Sequence, residues 1–403
     1  MRSPALPVSR RALLGGAAAA SGMLAAPAVL RAQPAPIRIG ALSPLTGAGG
    51  SYGPSMVKAV KAVVDEANAG GGVLGRKVEL FVEDDQTNPE PAVSAAHKLI
   101  DIDKVDALVA LWASSVTTAV APLCWESKTF LATCSGADSI TLLPHRGYLV
   151  RTQPNTTLQG RKFGEFALSL GAKRVFIMSP QTPFTQSQFD NITKAVKAGG
   201  GVTGMIVYGD NKPSYRTEVQ QALRFKPDAI VLGGYTPDTT VLVKDLFRAG
   251  YKGIKIGFGY AVNAKLLAAV PPATVEGVYA LSPSADEASP AYKHLLAITG
   301  IASPDPYTVQ SYDQTNLVLL AIAQAGHASG TAIRDNIRKV SQTKGGLSVG
   351  TLPDGLKAIA AKKPINYDGA SGPCDFTPIG DISDCKFRYE AVKSGKLTLL
   401  KIA

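Results

Sequence analysis

Short apolar runs alternate with longer amphipathic stretches through the first two thirds of the chain. Ile37–Leu42, Lys77–Glu83, Ala107–Leu111, Thr129–Thr133 and Tyr148–Gln153 read as strands. Between the first two lies Pro54–Asn68, whose Met56, Ala59, Val60, Val63, Val64 and Ala67 fall on one helical stripe. Pro54 suits its first turn, and Gly70–Gly72 end it. Pro91–Ile102 is a second helix. After Pro154 the pattern restarts, with strands at Arg174–Met178, Val202–Tyr208, Asp228–Leu232 and Ile254–Phe258. Helices are expected at Leu158–Leu170, Gln186–Ala198, Tyr215–Phe225 and Thr239–Ala249. Val275–Leu281 reads as a return strand. Three helices, near Ser289–Thr299, Pro306–Ala325 and Thr331–Val340, are expected to cover the first sheet. Cys385–Val392 and Leu397–Ile402 form a closing hairpin. This alternation predicts an α/β fold of two doubly wound parallel-sheet lobes.

One stretch concentrates candidate chemistry. Ala107–Leu111 is a buried strand, and Trp112-Ala113-Ser114-Ser115-Val116-Thr117-Thr118 follows where a helix starts. Thr129–Thr133 ends in Cys134-Ser135-Gly136-Ala137. Both turns lie at carboxyl ends of parallel strands, where open α/β sheets bind ligands. Hydroxyls and free N–H groups at a helix start suit a small anion such as a carboxylate.

Composition narrows the class. The 403 residues exceed one typical core, and 45% hydrophobic with 18% charged content describes a folded chain. Of the net charge of +11, four charges sit at Arg2, Arg10, Arg11 and Arg31, ahead of any acidic residue. No basic block is interleaved with aromatics, so nucleic acid is not indicated. Residues 1–32 read as an export signal of twin-arginine type, Ser9-Arg10-Arg11-Ala12-Leu13-Leu14, removed in the periplasm. No pair among Cys124, Cys134, Cys374 and Cys385 has C-x-x-C spacing. Cys374 and Cys385 bracket a loop that a disulfide would close, Cys124 and Cys134 could also pair, and spacing does not choose.

Enzyme signals are thin. His97, His145, His294 and His327 are scattered, with no H-E-x-x-H, no G-x-S-x-G and no phosphate loop. In Gly47–Gly53, Tyr52 stands where the third glycine of a dinucleotide loop belongs. Asp84-Asp85 reads as a solvated turn rather than a metal pair. No cofactor and no metal site is expected.

The run from Ile37 to Val93, the block Asp228–Gly250 and the turn Tyr367-Asp368 together resemble Leu/Ile/Val-type periplasmic binding proteins, the type I solute receptors of ABC importers. The resemblance spans nearly the whole mature chain. It implies two lobes, 37–153 with 282–373 and 154–281 with 376–403, joined by a three-segment hinge. The crossings would fall near Gln153–Pro154, near Leu281 and around Pro373–Phe376, and a Cys374–Cys385 bridge would stiffen the tail. It implies a ligand carboxylate at Ser114, Ser115, Ser135 and Ala137, and an ammonium at Asp238. Aromatic walls would come from Tyr52, Phe184 and Tyr307, with Trp112 beside the hydroxyls and Tyr215 and Tyr235 as weaker candidates. Four residues depart from the family pattern: Ala137, where a hydroxyl is common, Trp112, where small residues are usual, Phe184, where Tyr is common, and Asp238, a shorter acid than usual. The implied function is a monomeric periplasmic receptor that carries a small amino acid or related carboxylate to an inner-membrane ABC permease. An exported sensing module on a membrane receptor is the alternative. An exported enzyme would need a nucleophile–base pair, which the sequence does not show.

Overall fold

The computed structural model describes residues 35–403, so the export signal read in residues 1–32 lies outside them. Five parallel strands form the first sheet: β1 Ile37–Ser43, β2 Val78–Asp84, β3 Ala107–Leu111, β4 Phe130–Thr133 and β5 Leu149–Arg151, in the order β2-β1-β3-β4-β5. Every residue of β3 and β4 is buried, which explains their uninterrupted apolar sequence. The second sheet holds β6 Arg174–Pro180, β7 Val202–Tyr208, β8 Ala229–Leu232, β9 Ile254–Phe258 and β10 Val278–Pro283. Two later strands extend it, giving the order β15-β14-β10-β9-β8-β6-β7. A small third sheet contains β11 Leu347–Val349, β12 Ile365–Gly369 and β13 Gly372–Pro373. The hairpin of β14 Phe387–Lys393 and β15 Lys396–Ile402 then closes antiparallel on β10.

The third sheet and its helix Leu352–Ala360 were absent from the sequence reading. Their strands of two to five residues are too short to show a period. The helix Pro306–Ala325 is buried continuously from Tyr307 to Ile322, packing on β3 and on the helix Gly53–Ala69. It therefore does cover the first sheet, but as a central helix rather than an amphipathic one.

Three segments link the sheets. The first runs from β5 into the helix Thr156–Ser169, the second leaves β10, and the third enters β14. The third crossing falls later than Pro373–Phe376. Gly380 O accepts from Arg151 N at 2.9 Å, and Arg151 Nε meets Asp381 Oδ1 at 2.6 Å. These contacts keep the segment on β5 until the chain reaches Phe387. The Cys374–Cys385 bridge is also corrected, since both stand as free thiols. Cys374 is buried with Sγ toward Gly372 O, while Cys385 turns its own Sγ to Lys386 O. Cys124 and Cys134 are likewise free and buried.

Candidate functional site: an aromatic cleft at the strand ends

The cleft begins with a defect in β3. Ala110 has φ of +66° and the β3–β4 register shifts between Leu108 and Leu111. A non-glycine residue there is strained by about 1–3 kcal/mol. Gln314, from the central helix, compensates by accepting the Ala110 N–H with Oε1 at 2.9 Å. Its Nε2 reaches Thr152 Oγ1 at 2.9 Å and Cys134 Sγ at 3.0 Å, so one side chain pins the ends of β3, β4 and β5. The bulge delivers Trp112 to the mouth of the sheet.

Trp112 is packed by tyrosines from both sheets. Its ring centroid lies 5.5 Å from Tyr52, 5.5 Å from Tyr307, 5.4 Å from Tyr235 and 5.8 Å from Tyr260. Such separations are in the favourable range for tilted and edge-to-face pairs. Gly49 makes this possible, because a Cβ there would lie 2.7 Å from the indole. On the second side, Tyr260 stacks on Phe258 at 5.2 Å and Phe184 approaches both. The pocket so framed spans about 430 Å³ with its solvent-open mouth included, of which about 30 Å³ is room a water can occupy. That is room for one or two waters, so the rings themselves fill most of the cleft.

The helix after Trp112 starts at Ser114, one residue later than its cap Ala113, which offers no side-chain acceptor. Its first N–H groups are thus uncapped, and Ala113 and Ser114 line the cavity. This end can accept an anion through backbone donors and the helix dipole.

The hydroxyls of the two turns are mostly spent on each other. Thr117 Oγ1 lies 2.7 Å from Ser135 Oγ and 3.0 Å from Thr133 Oγ1, and Ser135 Oγ donates to Trp112 O. Ala137 N donates to Ser114 Oγ at 3.2 Å, while Ala137 O accepts from Arg151 at 2.7 Å. Ser135 and Ala137 are fully buried and neither lines the cavity. Ser115 lies outside the lining too, although its backbone belongs to the uncapped turn. Wholly buried Arg151 holds this second turn to the hinge through Asp381 and Thr141.

Asp238 also stands apart. It falls in the first turn of the helix Thr236–Arg248 and is not its cap. Its Oδ1 accepts from Tyr215 Oη at 2.5 Å and Asn211 N at 2.8 Å, away from the cavity lining. Burial raises its pKa above the ordinary carboxylate value, against those two hydrogen bonds. Tyr52 contributes its ring to the cage, yet its hydroxyl serves the second sheet's loop, donating to Tyr260 O at 2.7 Å. Of the eleven residues singled out from sequence, Trp112, Ser114, Phe184, Tyr235 and Tyr307 line the cavity.

Sequence reasoning missed Tyr260, Gln153, Thr182, Thr185 and Cys134. Cys134 stands in the turn already singled out after β4 and Gln153 follows β5 by two residues, whereas Tyr260, Thr182 and Thr185 carry no local signal. Burial pushes the Cys134 thiol up to about 12, so it lines the wall as a neutral group. No charged side chain lines this cavity among the described residues. The Asp84-Asp85 turn is not solvated as expected. Asp84 accepts from Leu45 N, Thr46 N and Gln86 N, and Asp85 is fully buried.

Comparison with known proteins gives the same architecture. A relative from Halobacterium salinarum, the chemotactic signal transduction system substrate-binding protein BasB, is 26% identical over 85% of this chain and 84% of its own. Among solved structures, the leucine binding protein LivK of Thermotoga maritima superposes with a TM-score of 0.78 at 22% identity. That match covers 91% of this chain and 98% of that one. A solute binding protein of an ABC transporter from R. palustris, solved with benzoate, matches with a TM-score of 0.73 at 19% identity. It covers 91% of this chain and 96% of that one. The family model for periplasmic binding proteins matches residues 36–377, and with two parallel-sheet lobes enclosing a cleft, the chain belongs to this non-catalytic, extracytoplasmic family.

Proposed function

We propose that the chain is a solute receptor that captures a small carboxylate with a flat apolar body and delivers it to an inner-membrane ABC permease. The observation that carries this is a cleft walled by aromatic rings from both sheets, open to an uncapped helix start and lined by no charged side chain. Neutral donors and a helix dipole suffice for a carboxylate. An α-amino acid would also bring an ammonium, and the cavity offers it no counter-charge, since Asp238 is engaged elsewhere. Aromatic acids therefore fit better than the amino acid that the sequence suggested. The benzoate held by the R. palustris neighbour supports this choice.

Hinge opening would admit the solute, and closure would bury it between the lobes. The test is a thermal-shift panel of benzoate, 4-hydroxybenzoate, L-phenylalanine and L-leucine. A ligand at 100 times its dissociation constant stabilises by about 2.7 kcal/mol. Shifts with the two aromatic acids are expected, and shifts confined to the amino acids refute the reading. The relative named for chemotactic signalling supports a second reading, in which the same solute is sensed rather than imported. Co-purification from membranes separates the two: a permease supports import, a signal transducer supports sensing.

A further inference from the structure

Beneath the cleft the central helix presents a second glutamine. Gln310 Nε2 donates to Gln153 Oε1 at 2.7 Å, and both side chains are almost wholly buried, 1% and 3% exposed. Gln153 lines the cavity, whereas Gln310 does not. An amide has one acceptor oxygen and one two-proton nitrogen. With one bond to Oε1 already made by Gln310, both protons of the Gln153 NH₂ remain to be donated, and the amide turns its donor side to the cavity.

The backbone around the pair is fixed. Gln153 follows Thr152, whose hydroxyl is held by Gln314, and precedes Pro154, whose carbonyl is held by Gln159 at 2.6 Å. Among the described residues the buried Gln310 oxygen has no hydrogen-bond partner. Turning both amides over would therefore be equally satisfying between the two residues: Gln153 Nε2 would donate to Gln310 Oε1, and Gln153 Oε1 would face the cleft. A hydrogen-bonded pair of glutamines thus has two states of opposite polarity toward the ligand.

Resting on the functional reading above, we infer that Gln153 is a specificity-determining ligand contact whose polarity is set by Gln310. In the state seen here it donates to a carboxylate oxygen, opposite the uncapped helix start. In the inverted state it accepts from an amide or hydroxyl of an uncharged analogue. The acid and its primary amide are then both admitted, and the acid is preferred because a hydrogen bond to a charged group is the stronger of the two. Gln310 is a positioning residue, acting only through Gln153.

Benzoate and benzamide are the probes, titrated calorimetrically into the full mature chain. Gln310→Glu in its ionised form, titrated at pH 8 or above, leaves only acceptors at that position, so the Gln153 nitrogen turns toward it and the oxygen faces the cleft. The ratio of benzoate to benzamide affinity should fall tenfold or more, from a residue that does not line the cavity. Gln153→Leu adds no charge and guards against a folding defect in the first variant. It should lower benzoate affinity about tenfold to a hundredfold and benzamide affinity less, so that the ratio falls at least threefold. A ratio unchanged within twofold in both variants overturns the inference. A wild-type chain that binds neither benzoate nor benzamide overturns the functional reading, and this inference with it.

Discussion

Tyr52→Phe is the substitution whose effect can be worked most directly from the structure. Tyr52 sits between β1 and the helix Gly53–Ala69, on the first sheet's side. Its hydroxyl donates to Tyr260 O and accepts from Asn263 Nδ2, both at 2.7 Å, on the loop after β9 of the second sheet. Phenylalanine keeps the ring against Trp112 and Tyr307 and removes only those two bonds. The partners are not stranded. Asn263 Nδ2 still reaches Thr236 Oγ1 at 3.0 Å and Tyr260 O at 2.8 Å, and Tyr260 O still accepts from Thr236 Oγ1. The loss is thus two ordinary net hydrogen bonds, about 1–3 kcal/mol together. Both bonds join the first-sheet side to the second-sheet side, so their loss should weaken the closed arrangement rather than either lobe. The ratio of closed to open protein should fall about 5- to 150-fold. Tyr52 does not line the cavity, so ligand contacts are unchanged. Affinity should fall by up to that factor, mainly through faster dissociation, and whatever part of the factor is not seen in affinity should appear as opening of the ligand-free variant, a larger radius of gyration by X-ray scattering. Benzoate titration and stopped-flow release measure the first two. If affinity, release rate and radius all match wild type, the Tyr52–Tyr260–Asn263 contact does not hold the lobes together.

Two further substitutions separate charge from structure. Asp85 is fully buried with Oδ1 on Thr87 N and no partner for Oδ2, and burial lifts its carboxyl to about 7 against that hydrogen bond, with Asp84 adding to the rise. A raised carboxyl pKa stabilises the fold fully below about pH 4 and loses that contribution as pH climbs through about 7, on the order of 4 kcal/mol. Asp85→Asn should therefore gain melting temperature over wild type between pH 5 and pH 8, whereas parallel curves would show that the carboxyl does not titrate there. Asp238→Asn keeps an acceptor for Tyr215 and Asn211 but removes the charge, so it should alter benzoate and L-phenylalanine affinity by less than twofold. A selective tenfold loss for L-phenylalanine would restore Asp238 as the ammonium partner.

The fold was legible where a single segment carries its own signal. β3 and β4 are buried throughout and read as short, largely apolar runs, and the helix starting at Ser114 announces itself by the Ser and Thr residues of its first turns. The small third sheet gave no such signal. Side-chain roles were less legible, because a sequence counts donors without showing who takes them. Ser135 and Thr117 look like free hydroxyls until their Oγ atoms are placed 2.7 Å apart. Asp238 looks like a charge for the ligand until Tyr215 and Asn211 claim it. Asp84 and Asp85 look alike, yet their adjacent side chains have opposite fates, one capped by loop N–H groups and one sealed from water.

The central helix sets a further part of the cleft that the sequence does not display. Tyr307–Ile322 is buried throughout, and it carries Gln310, Ser311, Asp313, Gln314, Thr315 and Asn316 in the interior. Burying so many polar groups is costly unless they find partners. Gln314 finds them at Ala110, Cys134 and Thr152, Gln310 at Gln153, and Asp313 at Tyr367, Ala370 and Ser371. The partners of Gln314 and Gln310 lie at or near the ends of the strands that border the cleft, whereas those of Asp313 belong to the third sheet and the turn after it. What remains for a ligand is therefore decided from below, by which donors this helix has already consumed. That selection spans 157 residues between Gln153 and Gln310, which no local pattern could have disclosed.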